Sequence, residues 1–441
     1  WSVARFRQYL ADNFDAPRLL SMGISDPATF DVRSSLRTRI ASVGGNSGNL
    51  NDPAWNNSAW LDDPIWRAYK IFKRKAGTEA LANYYTATKQ AAASMGRPDF
   101  AVFGNDIPLV SLGFVRGELD AVSTEMTPGW HMGSSSRGFM LPPVGRFAPA
   151  YKLGREHARS RILGVWMYLD GAFAPYKERS GAVNTLYYEM LANHALPMLH
   201  ESNANTTQDI GINGGFFSFV KSVRGIFGTR EPRADIGLYY SSSSLLANMT
   251  PAGFLDMDNQ PHAGGFLGWA TALGNLHCQF RPIPEWKISA DTLAGLRVLV
   301  LPEAVAMDAM EVAQIEAWVR AGGRLVVTGN TGARSGESGN FETNAALSPA
   351  ALTGVSSLAS APPTRLNAVG NGRVYFIRDN NGLAYFNAST PAARASLVDS
   401  FREAMAAVLD GQQTILTPAA PVPDTVGLNV YEDTGSRRLF V

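Results

Sequence analysis

Four short apolar runs constrain the first half of this chain more than any other feature: "DFAVFGND" (Asp99 to Asp106), "LDAVSTEM" (Leu119 to Met126), "RILGVWMYLD" (Arg161 to Asp170) and "ALPMLHES" (Ala195 to Ser202). Each ends in polar residues, and helical patterns such as "EALANYYTATKQAAASMG" and "LYYEMLANH" lie between them. Apolar runs without strict alternation are what parallel strands look like when both faces are covered, and the interposed helices supply the crossovers. A repeated β/α pattern follows. In such folds the loops after the strand C-termini converge on one rim, where sites form. The polar residues expected there are Asn105, Asp106, Glu125, Asp170, His200 and Glu201.

From about Ala234 the texture changes. "ADIGLYYS", "LRVLVLPE" and "RLVVTGN" read as strands, and "GFLGWATALGNLHCQF" and "DAMEVAQIEAWVRAGG" as helices. The second helix carries Val312, Ile315, Trp318 and Val319 as one stripe and is stopped by Gly322 and Gly323. This predicts a doubly wound, three-layer α/β module. "GNTGARSGESG" has neither a Gly-Lys-Ser ending nor a GxGxxG pattern, so it reads as a surface loop and not as a phosphate loop. "VGLNVYED" and "RRLFV" open a further β element.

A length of 441 residues predicts two or three units, each able to bury a core. With 39 basic and 38 acidic residues there is no electrostatic footprint for nucleic acid or an anionic membrane. No run approaches the roughly 20 apolar residues of a membrane span. One cysteine, Cys278, excludes an internal disulfide and a multi-cysteine metal site. The six histidines show no HExxH or Cys-His spacing, so His200-Glu201 and Trp130-His131 read as hydrogen-bonding loop residues before metal ligands; no metal and no cofactor is expected. Cytoplasmic, periplasmic and secreted locations all stay open. The chain opens at "WSVARFRQYLADNF" and stops at "SRRLFV" in mid-strand, which suggests part of a longer protein.

"ADIGLYYSSSS" followed by "LRVLVLPEAVAMDAMEVAQIEAWVRAGGRLVVTGNTG" resembles the amidotransferase-like domain that follows the barrel in glycoside hydrolase family 42 β-galactosidases. The first half is similar in order to the second half of that family's (β/α)8 TIM-type barrel. "FRQYLADNF" resembles the helix after the fourth strand, "DDPIWRAYKIFKRKAGTEALANYYTATKQAA" the long helix before the fifth, and "LDAVSTEMTP" a strand carrying a carboxylate. The resemblance implies an α/β chain in three parts. Residues 1–230 form a catalytic barrel without its first strands, residues 231–415 an amidotransferase-like domain that serves trimer or dimer formation, and residues 416–441 the start of a C-terminal β domain.

It also implies retaining hydrolysis of a galactose-type or related oligo- or polysaccharide. That chemistry needs two carboxyl groups about 5 to 5.5 Å apart, one as nucleophile and one as acid/base. Glu125 is the nucleophile candidate, with Thr124 and Trp130 on the same rim. Asp106 is the nearest in-chain partner, although an Asp after Asn is also a turn residue, and Asp170 in "YLDG" has the same double reading. The family's Asn-Glu pair after the fourth strand has no counterpart here, so the acid/base is otherwise expected before Trp1. Asn105, Trp130, His131, Trp166, Tyr168, Asp170, His200 and Glu201 are substrate-binding candidates. Trp55 and Trp60 join them because "NLNDPAWNNSAWLDDPIW" surrounds its rings with Asn and Asp, as sugar-stacking residues often are; the other reading is a loop pinned by buried Trp. The alternative function is a noncatalytic carbohydrate-binding or assembly protein on a degenerate barrel. An amidotransferase would need a nucleophilic Cys on the turn after a strand, where Glu303 and Ala304 stand instead.

Overall fold

A computed structural model describes residues 2–46, 48–49, 52–105, 115–126, 147–167, 180–198, 207–227, 230–251, 260–344, 350–388, 390–415, 422, 426, 428–433, 435 and 439–440. Each of the four apolar runs contains a strand: β1 (Phe103–Asn105), β2 (Ala121–Met126), β3 (Ile162–Met167) and β4 (Ala195–Met198). They form one parallel sheet in chain order. Helices Ala148–His157 and Ser180–Ala192 lie between successive strands, as parallel neighbours require.

The two faces of this sheet differ because side chains alternate along a strand. Val122, Thr124, Leu163, Val165 and Ala195 are buried on the helix-covered face, where the apolar members join Tyr151, Leu153, Leu186, Tyr187 and Met190 in one core. The opposite face carries Phe103, Ile162 and Leu196, exposed at 41%, 42% and 51%. Gly164 lies on that second face. A Cβ there would stand 2.4 Å from Met198 Sδ and 3.2 Å from Phe103 Cζ, so the missing side chain is what lets those two cross.

The second sheet contains β5 (Ile236–Tyr240), β6 (Phe280–Pro284), β7 (Val298–Leu301), β8 (Arg324–Thr328), β9 (Thr364–Val369) and β10 (Gly372–Ile377). Its order is β9-β10-β8-β7-β5-β6, parallel throughout except for β9, which pairs antiparallel at one edge. The chain thus winds outward in both directions from β5 and β7, the doubly wound arrangement. Val298 to Leu301 are fully buried, as a strand covered on both faces must be. Helix Ala309–Arg320 buries Ile315 and Val319 and ends before Gly322, whose φ of 124° only glycine adopts readily. Beyond it, Arg230–Pro232, Tyr431–Asp433 and Leu439–Phe440 form a small antiparallel sheet.

The two main sheets share a continuous core. Val122 and Leu163 belong to the same buried cluster as Leu238, Phe266, Val300 and Phe401. The amino-terminal helices join it from another side. Helix Pro64–Ser94 starts at Asp63, whose carboxylate accepts from the Trp66 amide at 2.8 Å, with proline at its first position. Its first turns dock on the helix that follows β5: Trp66 Nε1 donates to Met249 O, and Lys70 Nζ donates to Leu246, Ala247 and Met249 carbonyls at the end of helix Ser242–Ala247. Arg67 donates to Phe341 O, and Arg74 pairs with Glu337. The expected surface loop "GNTGARSGESG" is therefore a packed element. Thr331 is buried within it, the Glu337 side chain is only 9% exposed, Arg334 pairs with Asp62 at 2.9 Å, and the segment forms the seat for the long helix.

Candidate functional site

The C-terminal rim of β1 to β4 collects three of the candidates. Asn105 is the last residue of β1, in register with Ser123 of β2, which is in turn in register with Gly164 of β3. Glu125 lies two residues further along β2 and is in register with Trp166, itself in register with Met198 of β4. Alternation assigns Asn105 and Trp166 to one face, and Glu125 is the β2 position in register with Trp166, on strands about 4.8 Å apart. Ser123, buried between them, donates its hydroxyl to Asn105 Oδ1 at 3.1 Å and ties that amide to the sheet. This is the face that also carries Phe103, Ile162 and Leu196 nearer the strand starts.

Three expectations need correction. Thr124 is not on the rim face: it is in register with Val165 and buried on the helix side, because neighbours in a strand point to opposite faces. Trp55 and Trp60 are not open sugar platforms. Their rings stack on each other at 5.8 Å and lie against Ile40, with the indole N–H groups donating to Asn49 O and Ala54 O. Only 8% and 3% of their surfaces remain exposed, so they pin the loop they sit in. Asp106, Trp130, His131, Tyr168, Asp170, His200 and Glu201 lie outside the described residues.

A second place where ligands gather in doubly wound sheets is the switch point, here between the C-terminal ends of β5 and β7. The sequence reading missed what stands there. Glu285, buried after β6, accepts from Ser241 Oγ at 2.9 Å, from Ser242 Oγ at 2.5 Å, from the Ser243 amide at 3.0 Å and from Arg116 at 2.8 Å. Burial alone would raise its pKa, but Arg116 and the serine donors outweigh burial and hold it below the ordinary carboxylate value. Glu337, beside it and paired to Arg74, is shifted upward by burial. The "SSSS" after a strand could have signalled a helix cap, which Ser241 is, but nothing local announces its distant partners. Helix Pro64–Ser94 packs beside this cluster through Lys70, Ile71 and Arg74, so the cluster joins parts of the protein.

The elbow after β7 is also occupied by structure. Glu303 adopts φ 49°, is buried, and accepts from Asn330 Nδ2 at 2.8 Å. Gly329 faces it so closely that a Cβ would come 1.4 Å from Glu303 Oε2. Cys278 lies elsewhere, and burial pushes its thiol up to about 11, away from nucleophilic use. Among the described residues no group of three His, Cys, Asp or Glu could hold a metal ion, and no helix is long and apolar enough to cross a membrane.

No family model matches the chain, and no curated protein sequence does. Solved structures do. The fold, a segment of (β/α)8-type barrel followed by an α/β domain, is one that solved glycosidases share. More particularly, it is the fold of family 42 β-galactosidases. The enzyme from Bacillus circulans sp. alkalophilus superposes with a TM-score of 0.62 at 15% identity, over 92% of this chain and 69% of that one. A catalytic mutant of a family 42 β-galactosidase from G. stearothermophilus gives 0.56 at 12%, over 85% of this chain. This chain spans 64% of that enzyme's length. An exo-β-1,4-mannosidase from an Opitutaceae bacterium gives 0.50 at 11%, over 79% of this chain and 78% of that one. The shared property is the fold, across glycosidases of more than one specificity.

Proposed function

We propose that this protein is a retaining glycoside hydrolase acting on a galactose-type or related oligo- or polysaccharide, with Glu125 as nucleophile. The observation that carries the reading is the register of Glu125 near the end of β2, directly beside Trp166 of β3 and one pleat beyond the level of Asn105 of β1. A strand-end carboxylate flanked by an amide and an indole suits a sugar, whose hydroxyls bind amides and whose C–H face packs on a ring. The glycosidase fold of the solved structures supports it.

In this mechanism the Glu125 carboxylate attacks the anomeric carbon and forms a glycosyl-enzyme ester while a second carboxylic acid protonates the departing oxygen. Water then hydrolyses the ester, with the second group acting as base. Asp106, the residue directly after β1 in the sequence, is the in-chain candidate for the second group. The same reading includes assembly as a dimer or trimer through the second domain.

The test is hydrolysis of 4-nitrophenyl glycosides, the β-galactoside first. Glu125→Gln should lower kcat by roughly 10³-fold or more with the thermal transition unchanged. Full activity in that variant sinks the assignment. Asp106→Asn assigns the partner: loss of turnover supports Asp106, and undiminished turnover moves the acid to another segment.

A further inference from the structure

A cavity of about 350 Å³ lies away from the strand-end rim, between helices Ala148–His157, Ser180–Ala192 and Pro261–Asn275, with Phe280 of β6 and Val426, Leu428 and Asn429 closing it. That volume is within the range of small-molecule sites, roughly 300 to 1,000 Å³. Its walls hold two polar groups whose bonding is incomplete. Lys152, partly exposed to the cavity, has no carboxylate partner among the described residues. Its ammonium reaches only Phe280 O, at a long 3.5 Å, and the Phe280 ring, at 4.4 Å. Asn193, 5% exposed, donates Nδ2 to Glu189 O at 2.8 Å, while its buried Oδ1 accepts from no described group.

Of the cations around this cavity, Lys152 and Arg281 are the two with no ion pair among the described residues. A small adjoining cavity shares Lys152 and Asn193 and is lined by Arg155, Arg161, Arg233 and Arg281, of which Arg155 and Arg161 face Glu231 at 3.8 and 3.2 Å and Arg233 pairs with Glu432 at 2.9 Å. Glu156 is taken by Arg161 and Lys287, at 2.6 and 2.9 Å, whereas among the described residues Arg281 donates to Thr292 O and its buried Nε has no partner. Glu189 also lines the larger cavity, with Oε1 accepting the Phe147 amide. Burial beside Arg155 pulls the Lys152 amine down to about 8, as expected of an ammonium with no acid against it. A half-buried cation without an acid and a buried carbonyl oxygen without a donor are both unfavourable, and a single ligand can relieve the two.

We propose that this cavity binds a small hydroxylated carboxylate, a sugar acid by class, whose carboxylate meets Lys152 and one of whose hydroxyls donates to Asn193 Oδ1. The apolar faces of Phe280 and Tyr188 suit the C–H side of such a molecule. The site stands on other elements than Glu125 and does not depend on its role.

Isothermal titration of the protein with D-galacturonate, and with D-galactose as the neutral counterpart, tests this. Galacturonate should bind saturably and at least tenfold more tightly than galactose. Lys152→Met should abolish that preference without lowering the melting temperature, since it removes an unpaired cation. Asn193→Asp, which keeps the shape and adds a repelling charge, should weaken galacturonate by a similar factor, and Glu125→Gln should leave its affinity unchanged. Equal affinity for both sugars, a preference that survives in Lys152→Met, or loss of binding in Glu125→Gln would each overturn the proposal.

Discussion

Single residues in this protein are informative where two demands meet on one group, and His262 is a case. It is fully buried, its Nε2 accepts from the Ser241 amide at 2.7 Å, and its Nδ1 lies 2.8 Å from Pro302 O. Only the neutral ring, protonated at Nδ1, satisfies both neighbours; a second proton at Nε2 would face an N–H. Burial accordingly pulls its pKa down to about 4. The unfolded chain takes up this proton near pH 6.5 and the native state only near pH 4. Stability contributed by the neutral ring is thus complete above pH 6.5 and is lost as pH falls toward 4, at about 1.4 kcal/mol per pH unit. Urea denaturation at pH 6.5 and pH 5 should show the protein losing about 2 kcal/mol more than His262→Gln does, and parallel pH dependences of the two would contradict this. Glu125 and Thr124 teach a related point. The carboxylate's position at a strand end was legible from the polar ending of an apolar run, and the opposite facing of Thr124 was legible too, because a period of two separates any neighbours in a strand. The sequence reading used the first signal and overlooked the second.

Elements were legible where their signal is local. The four parallel strands and the stripe of helix Ala309–Arg320 follow from runs and periodicities of a few residues. Trp55 and Trp60 failed this test because burial in a polar-looking loop depends on Ile40 and Leu36 arriving from another helix. The segment around Glu337 failed it because its ordering comes from Arg74, 263 residues away in sequence. That contact makes the docking of helix Pro64–Ser94 testable. Arg74 and Glu337 are both buried, with side chains 5% and 9% exposed, and Arg116 reaches Glu337 only at 3.6 Å. Removing one member of a buried pair strands the other charge, which costs about 3 to 5 kcal/mol, whereas replacing both by apolar groups is close to neutral. Arg74→Met should therefore destabilise the protein by about 3 kcal/mol, and adding Glu337→Leu should restore most of it. A double variant no more stable than Arg74→Met would mean that the pair does not seat the helix.

At the scale of the molecule, the two sheets are distinct in topology but not in core. Helix Ala148–His157 packs its Tyr151 and Leu153 in the same cluster as Phe266 and Trp269 of helix Pro261–Asn275, and Lys152 reaches Phe280 of β6. A change of texture near Ala234 marks where one sheet gives way to the next, but texture says nothing about whether the two open independently. Shared burial argues that they do not, since exposing either sheet strips apolar contacts from the other. Phe266 offers a probe: it is fully buried, belongs to the second sheet's helix layer, and packs edge-on to Tyr240 at 5.3 Å. Phe266→Ala should cost about 3 to 5 kcal/mol. If the core acts as one unit, that loss should accelerate amide hydrogen exchange by roughly 10²- to 10³-fold in β2 and β3 as well as in β5 and β7. Acceleration confined to β5 and β7 would show that the sheets unfold separately. The packing of Tyr151 and Leu153 against the layer that holds Phe266 makes the joint response the expected one.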